Sequence, residues 1–175
     1  MGKAPKSTEM TGAVEIAHLI PIEEMRGDSK KDTLLLQAMA TEAREYLLSF
    51  KWCKRVRCAW FGWGVGGVCA VFLFEIEPSS KRVDRWLWVI GGDLPPAYLV
   101  TDASPTPLAA LRNYVDLMQE WVDAVKNRKR VNIYIPVNAP ATLEYASLLQ
   151  RRLDFIRKEF LPAKGNKHLE RRSEK

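Results

Sequence analysis

Residues 54–102 read KRVRCAWFGWGVGGVCAVFLFEIEPSSKRVDRWLWVIGGDLPPAYLVTD, and the fold class follows from them. Four runs rich in β-branched and aromatic residues, 54–63, 68–77, 82–90 and 97–101, are separated by a glycine cluster, by Pro-Ser-Ser-Lys and by Gly-Gly-Asp-Leu-Pro-Pro. Runs of this length bounded by turn residues predict an antiparallel meander. A first hairpin centred on Gly66 sets Arg57 opposite Glu75, Arg55 opposite Glu77 and Trp60 opposite Phe72. That register pairs opposite charges and stacks aromatics across the strands. Val68 to Leu73 is apolar on both faces, so the second strand is expected to be central and covered by helices at one end.

The same stretch poses a membrane question, because Cys58 to Phe74 is 17 residues without a charge. That length is the lower edge of a spanning helix. Gly62, Gly64, Gly66 and Gly67 at its centre, and the β-branched and aromatic residues around them, favour a hairpin. The GxxxG of Gly62 and Gly66 pairs helices only inside a membrane.

Outside the strands, apolar spacings of three and four mark helices. Asp32 or Thr33 is read as the N-cap of the first, with Leu35, Met39, Ala43, Tyr46, Leu47 and Phe50 along it. Ser-Pro-Thr-Pro at 104–107 opens the second, with Thr106 as N-cap and Pro107 at the first helical position. Its inward stripe is Leu108, Leu111, Tyr114, Val115, Met118, Trp121, Val122 and Val125, and Lys126, Arg128, Lys129 and Arg130 close it at the negative end of the dipole. An alternating piece, Val131 to Val137, reads as a fifth strand, and Asn138, Ala139 and Pro140 as the start of a last helix carrying Tyr145, Leu149, Leu153, Ile156 and Phe160. The expected fold is therefore α+β: an antiparallel sheet of four to five strands packed against about three helices. The expected domains are a partly disordered N-terminal tail with one docked strand or turn (1–31), one α+β domain (32–162) and a charged disordered tail (163–175).

The chain has 175 residues with 47% hydrophobic and 27% charged side chains, which suits one globular domain and excludes disorder throughout or a collagen-like fibre. Lys and Arg number 27 against 21 Asp and Glu, a net charge of +6. Half of that excess lies in residues 163–175, with five basic and two acidic side chains. Such a balance draws polyanions weakly at long range and does not define a nucleic-acid surface. Met1 to Gly12 mixes Lys3, Lys6 and Glu9 with no apolar run behind them, so a secretory signal is not read and a cytoplasmic protein is expected. Cys53, Cys58 and Cys69 are an odd set without a CxxC, and the two histidines, His18 and His168, lie in terminal segments. Reduced thiols and no metal site are expected.

The segments EAREYLLSFKWC (42–53), GVGGVCAVFLFEIEP (64–78), WLWVIGGDLPPAYLVTD (86–102) and IPVNAPATLEYA (135–146) resemble an uncharacterised family of small bacterial hypothetical proteins, over roughly residues 38–162. The resemblance implies a bacterial cytoplasmic protein. That family has no established activity, so no site residue is carried over from it.

Each constellation that carries chemistry has a plainer counterpart. Gly62-Trp63-Gly64-Val65-Gly66-Gly67 suggests a phosphate loop, but Val68-Cys69-Ala70-Val71-Phe72 continues as a strand and lacks the Lys and Ser/Thr of such loops. Asp116, Glu120 and Asp123 lie on one helical face, with Arg112 one turn before Asp116, and read as solvated, charge-paired surface. Lys51, Lys54, Arg55 and Arg57 near Cys53 and Cys58 favour thiolate character, although buried inert thiols are the commoner case. Asp93 and Asp102 flank two proline-bearing loops and Asn138 sits in a third, and these, if gathered at one end of the sheet, make the expected pocket with Tyr98 and Trp88 as walls. Turn chemistry alone also accounts for them. Basic residues for a polyanion surface are Lys81, Arg82 and Arg85 beside Trp86, the run at 126–130, and Arg151, Arg157 and Lys158. Among six tryptophans, Trp63 near the hairpin tip is expected to be exposed.

No catalytic set and no cofactor motif stand out. The reading is a non-enzymatic bacterial protein-interaction module, immunity-like or regulatory, which binds another protein or a second copy of itself. Its surface is expected to involve Trp63, Trp86, Trp88, Tyr98, Asp93, Asp102 and Asn138. The alternative is a basic nucleic-acid or polyanion binder, and the third reading is a small-molecule enzyme using the loop end of the sheet.

Overall fold

The computed structural model describes residues 10–11, 14–130 and 137–161. In chain order, β1 (Met10–Thr11) pairs with β2 (Val14–Glu15), β3 (Ile20–Pro21) follows, and α1 (Lys30–Leu48) leads into the meander β4 (Cys53–Val65), β5 (Cys69–Pro78), β6 (Trp86–Gly92) and β7 (Ala97–Val100). Helices α2 (Pro107–Lys126) and α3 (Leu143–Phe160) follow. The main sheet is antiparallel throughout in the order β3-β4-β5-β6-β7, so the class is α+β, with five strands in that sheet and three α-helices among the described residues. The fifth strand is β3, on the β4 edge. The alternating piece at 131–137 falls almost wholly outside the described residues, as do the first nine residues and the segment 162–175.

The β4–β5 register departs from a regular hairpin. Arg55 faces Glu77 as expected, but Cys58 rather than Arg57 faces Glu75, and Trp60 faces Leu73 rather than Phe72. The cause is three bulges in β4, at Lys54, Arg57 and Gly62, each adding one residue with no partner on β5. Arg57 nevertheless reaches Glu77, 3.2 Å away, beside the 2.7 Å contact from Arg55. The turn Val65-Gly66-Gly67-Val68 closes with the Val68 amide donating to the Val65 carbonyl, and the positive φ of 74° falls on Gly67. A side chain at that third turn position is disfavoured, which is why glycine sits there.

Alternation along β5 and β6 divides the interior into two cores. Cys69, Val71, Leu73, Trp88 and Ile90 face α2 and α3, while Ala70, Phe72, Phe74, Ile76, Leu87 and Val89 face α1. β5 is buried from Cys69 through Ile76, as befits a central strand covered on both faces. Helices thus cover both faces along its length, not one end alone. Residues 14–31, read from sequence as part of a tail, contribute Val14 to the α2/α3 core and Met25 to the α1 core. Packing therefore begins before residue 32.

Helix starts follow side-chain caps. α1 is capped by Ser29, three residues earlier than expected: its hydroxyl accepts from the Asp32 amide at 3.1 Å, as in the Ser-x-x-acid pattern. Asp32 is freed for another task, taken up below. Helix α2 begins at Thr106 and Pro107 as the sequence indicates, with the Thr106 hydroxyl accepting from the Ala109 amide. Its end is closed by Arg128 in left-handed conformation, φ 53°, which brings the Lys129 amide to the Ala124 carbonyl at 2.9 Å. Helix α3 starts at Leu143 behind a Thr142 cap, not at Asn138 to Pro140. Its buried stripe is Ala146, Leu149, Leu153 and Ile156; Tyr145, expected inward, is 47% exposed.

Candidate functional site

The antiparallel topology separates the residues expected to share a pocket. Asp93 directly follows β6 and Asp102 lies just past β7, and since these strands run in opposite directions the two carboxylates sit at opposite ends of the sheet. The single loop-end pocket is therefore not formed. Asp93 is instead a latch, accepting from the Arg152 guanidinium of α3 at 2.9 and 3.1 Å. Asp102 and Asn138 are exposed. Trp88 is fully buried and its indole N–H donates to the Ser104 carbonyl at 2.7 Å, so it is core and not a wall. Trp86 is half-buried against Trp60, ring centroids 5.4 Å apart. Trp63 is not the exposed residue expected: it is half-buried and packs edge-on against Phe160 at 4.9 Å.

The other constellations resolve along the same lines. In the glycine-rich turn the Gly66 amide, which a phosphate would need, already donates to the Asp32 carboxylate at 2.6 Å. Asp32 thereby ties the hairpin tip to the first turn of α1, and its other oxygen accepts from the Asp28 amide at 2.9 Å. The cysteines are free thiols, and burial pushes all three upward, Cys69 to about 12. At Cys58 the neighbouring Glu75 adds to that rise. No thiolate is favoured, whatever cations lie nearby in sequence. Among the described residues no three His, Cys, Asp or Glu side chains gather as a metal-ligand set. Cys58 to Phe74 forms the β4–β5 hairpin, and no described helix is long and apolar enough to cross a membrane.

The arginines are scattered over separate elements, and several meet carboxylates. Arg55 and Arg57 hold Glu77, keeping its carboxyl below the usual range through the Arg55 hydrogen bond and charge first. Arg85 grips the nearly buried Glu75, Arg152 grips Asp93, and Arg157 donates to Gln119 at 2.8 Å beside Asp154.

A sizeable opening with an apolar wall lies along β7, a strand with no outer neighbour among the described residues. A groove of about 440 Å³ runs between β7 and α2, lined by Tyr98, Leu99 and Val100 of the strand and by Leu117, Asp116 and Glu120 of the helix. Positions 113, 116, 117 and 120 share one helical face, so α2 presents them together. Asn113 closes one end, with its amide donating to Ser104 and to the Ala103 carbonyl. Tyr98 is held from behind by Trp52, Phe50 and Tyr46, with centroids 5.0, 5.4 and 6.4 Å away. Burial, reinforced by Tyr98, pushes the Tyr46 phenol well up. Val100 is 41% exposed at the groove mouth.

Of the expected surface residues only Tyr98 lines this groove. Val100, Leu117, Asp116 and Glu120 were not anticipated there. The charge pairing read for Asp116 with Arg112 is absent among the described residues: Asp123 bonds Gln119, whereas Asp116 and Glu120 carry no side-chain hydrogen bond or ion pair. A second exposed apolar feature is the outer flank of α3, where Tyr145, Leu148 and Phe155 stand around Arg152. The Arg152 guanidinium, bound to Asp93, interrupts it. Compared with known proteins, the chain matches no family model, no curated protein and no solved structure.

Proposed function

We propose that this chain is a non-enzymatic protein-interaction module, immunity-like or regulatory in kind and bacterial and cytoplasmic in setting, and that the groove beside β7 is where an extended segment of a partner protein docks. The observation that carries the reading is a coincidence of three properties at one place. An edge strand without an outer neighbour among the described residues borders a concave space, and that space is walled by Leu99, Val100 and Leu117. Apolar concavity with few fixed polar groups is the ordinary character of a docking surface. The polyanion alternative draws less support, because its candidates are scattered over separate elements and two of them already face carboxylates, Arg85 held by Glu75 and Arg157 beside Asp154.

The test is affinity capture from the native host in nuclease-treated and untreated halves, with wild type beside Val100→Asp. A stoichiometric protein that survives nuclease and is lost from the Val100→Asp sample, at unchanged melting temperature, supports the reading. Capture indifferent to Val100→Asp overturns the assignment of the groove. Partners that vanish with nuclease replace the reading with the polyanion one.

A further inference from the structure

We infer that the groove beside β7 accepts a cationic peptide segment in extended conformation, which adds to the sheet as a strand outside β7. This rests on the docking reading above and names the chemistry of the partner. The first observation is backbone. In an antiparallel sheet every second residue of an edge strand turns its N–H and C=O outward. β7 has β6 on one side and no strand on the other among the described residues. An extended chain satisfies those groups in register, which neither a helix nor a small ligand does.

The second observation is the pair of walls. Leu99 faces α2 and sits over Leu117, whereas Tyr98 and Val100 face the α1 side, and all of them line the same space. An added strand projects alternate side chains to these two walls. Four residues of β7 present a template about 13 Å long, enough for a short motif rather than a long strand.

The third observation is charge. Asp116 and Glu120 stand one turn apart on the α2 wall, both exposed and neither engaged by a cation among the described residues of a chain whose net charge is +6. Like charges at that spacing repel, and a bound cation relieves the repulsion. Their separation, about 6 Å for an i,i+4 pair, nearly matches the roughly 6.6 Å between alternate side chains of a strand. Two Lys or Arg residues at alternate positions therefore meet the two carboxylates, and their aliphatic stems cover Leu99 and Leu117.

The experiment uses the full chain and three labelled six-residue peptides in fluorescence anisotropy. One alternates Lys and Val, one alternates Glu and Val, and one is the Lys-Val peptide with alternate backbone amides methylated so that it cannot pair. The Lys-Val peptide binds, on the order of tenfold more tightly than Glu-Val at low salt, as two exposed ion pairs allow. Added salt narrows that gap. Asp116→Lys with Glu120→Lys inverts the preference at unchanged melting temperature. The methylated peptide fails. Equal binding of Lys-Val and Glu-Val, or indifference to the double charge reversal, overturns the cationic assignment. Equal binding of the methylated peptide overturns strand addition. No Lys-Val binding at millimolar concentration overturns this inference outright, while the docking reading is judged separately by the Val100-dependent capture of a protein partner.

Discussion

Replacing Asp32 by Ala removes the tie between the hairpin tip and α1, and its cost can be worked from the geometry. The Gly66 amide donates to one carboxylate oxygen at 2.6 Å in a part-buried place, and the Asp28 amide donates to the other at 2.9 Å in an exposed one. A hydrogen bond contributes about 0.5–1.5 kcal/mol in general and about 1.5–3 kcal/mol when one partner is charged and shielded, with the bottom of that span apt for a bond exposed to solvent. Taking about 2 kcal/mol for Gly66 and about 0.5 for Asp28, and adding about 0.5 for an anion in the first helical turn, gives roughly 3 kcal/mol. Asp32→Asn retains one acceptor for Gly66 but turns N–H groups toward the Asp28 amide and loses the charge, so it costs about half as much. Urea unfolding followed by tryptophan fluorescence reads both, with unchanged slope and a lower midpoint. The melting temperature of Asp32→Ala falls by about 6–12 °C at this chain length. Amide exchange places the effect, since the Gly66 amide loses protection in Asp32→Ala beyond the global change. Variants within about 0.5 kcal/mol of wild type, or unaltered protection of Gly66, refute the account of the tie.

Cys69 is raised by burial from an ordinary 9.0 to about 12, and the buried Tyr114 phenol is also raised, so the unfolded chain releases these protons first. Stability is therefore intact below about pH 9 and declines from there toward 12, as urea midpoints across that range measure; a flat profile contradicts it. Trp88→Phe leaves the Ser104 carbonyl without its donor in a fully buried place and opens space beside it, lowering stability by about 2–4 kcal/mol in the same assay. Arg128→Gly relieves a left-handed residue at the end of α2 and raises stability by about 0.5–1 kcal/mol, whereas Arg128→Ala does not.

The parts of the fold that could be read in the sequence are those whose causes are local. The meander was visible because turn residues and alternating bulk lie side by side in the chain, and the start of α2 because Thr106 and Pro107 serve a helix N-terminus and little else. The bulges were not, since Lys54 and Arg57 look like any exposed strand residues and the third extra residue, Gly62, is a glycine among several. The α1 cap was misplaced because Ser29, Asp32 and Thr33 are all cap formers, and only the structure shows the Asp32 carboxylate engaged with Gly66. The groove is non-local: it exists because α2 crosses beside β7, which has no outer neighbour among the described residues. Its one sequence signal is that Leu99 and Val100, on opposite faces of the last meander strand, are both apolar. Asp116 and Glu120 passed as ordinary helix surface because Arg112 was available to them in sequence though not engaged in space.

The bulged strand also sets where the chain can change length. β4 runs 13 residues against the 10 of β5, and the surplus is distributed at three separate points. Deleting an ordinary strand residue such as Trp60 inverts every inward and outward position beyond it, because side chains alternate with a period of two. Deleting Arg57 closes its bulge and gives up its exposed contact with Glu77, but Val56 still meets Ile76, Cys58 still meets Glu75, and both cores keep their side chains. β4 therefore carries built-in slack, and single-residue insertions and deletions among descendants of this sequence can accumulate at Lys54 and Arg57 while the neighbouring positions stay fixed in frame.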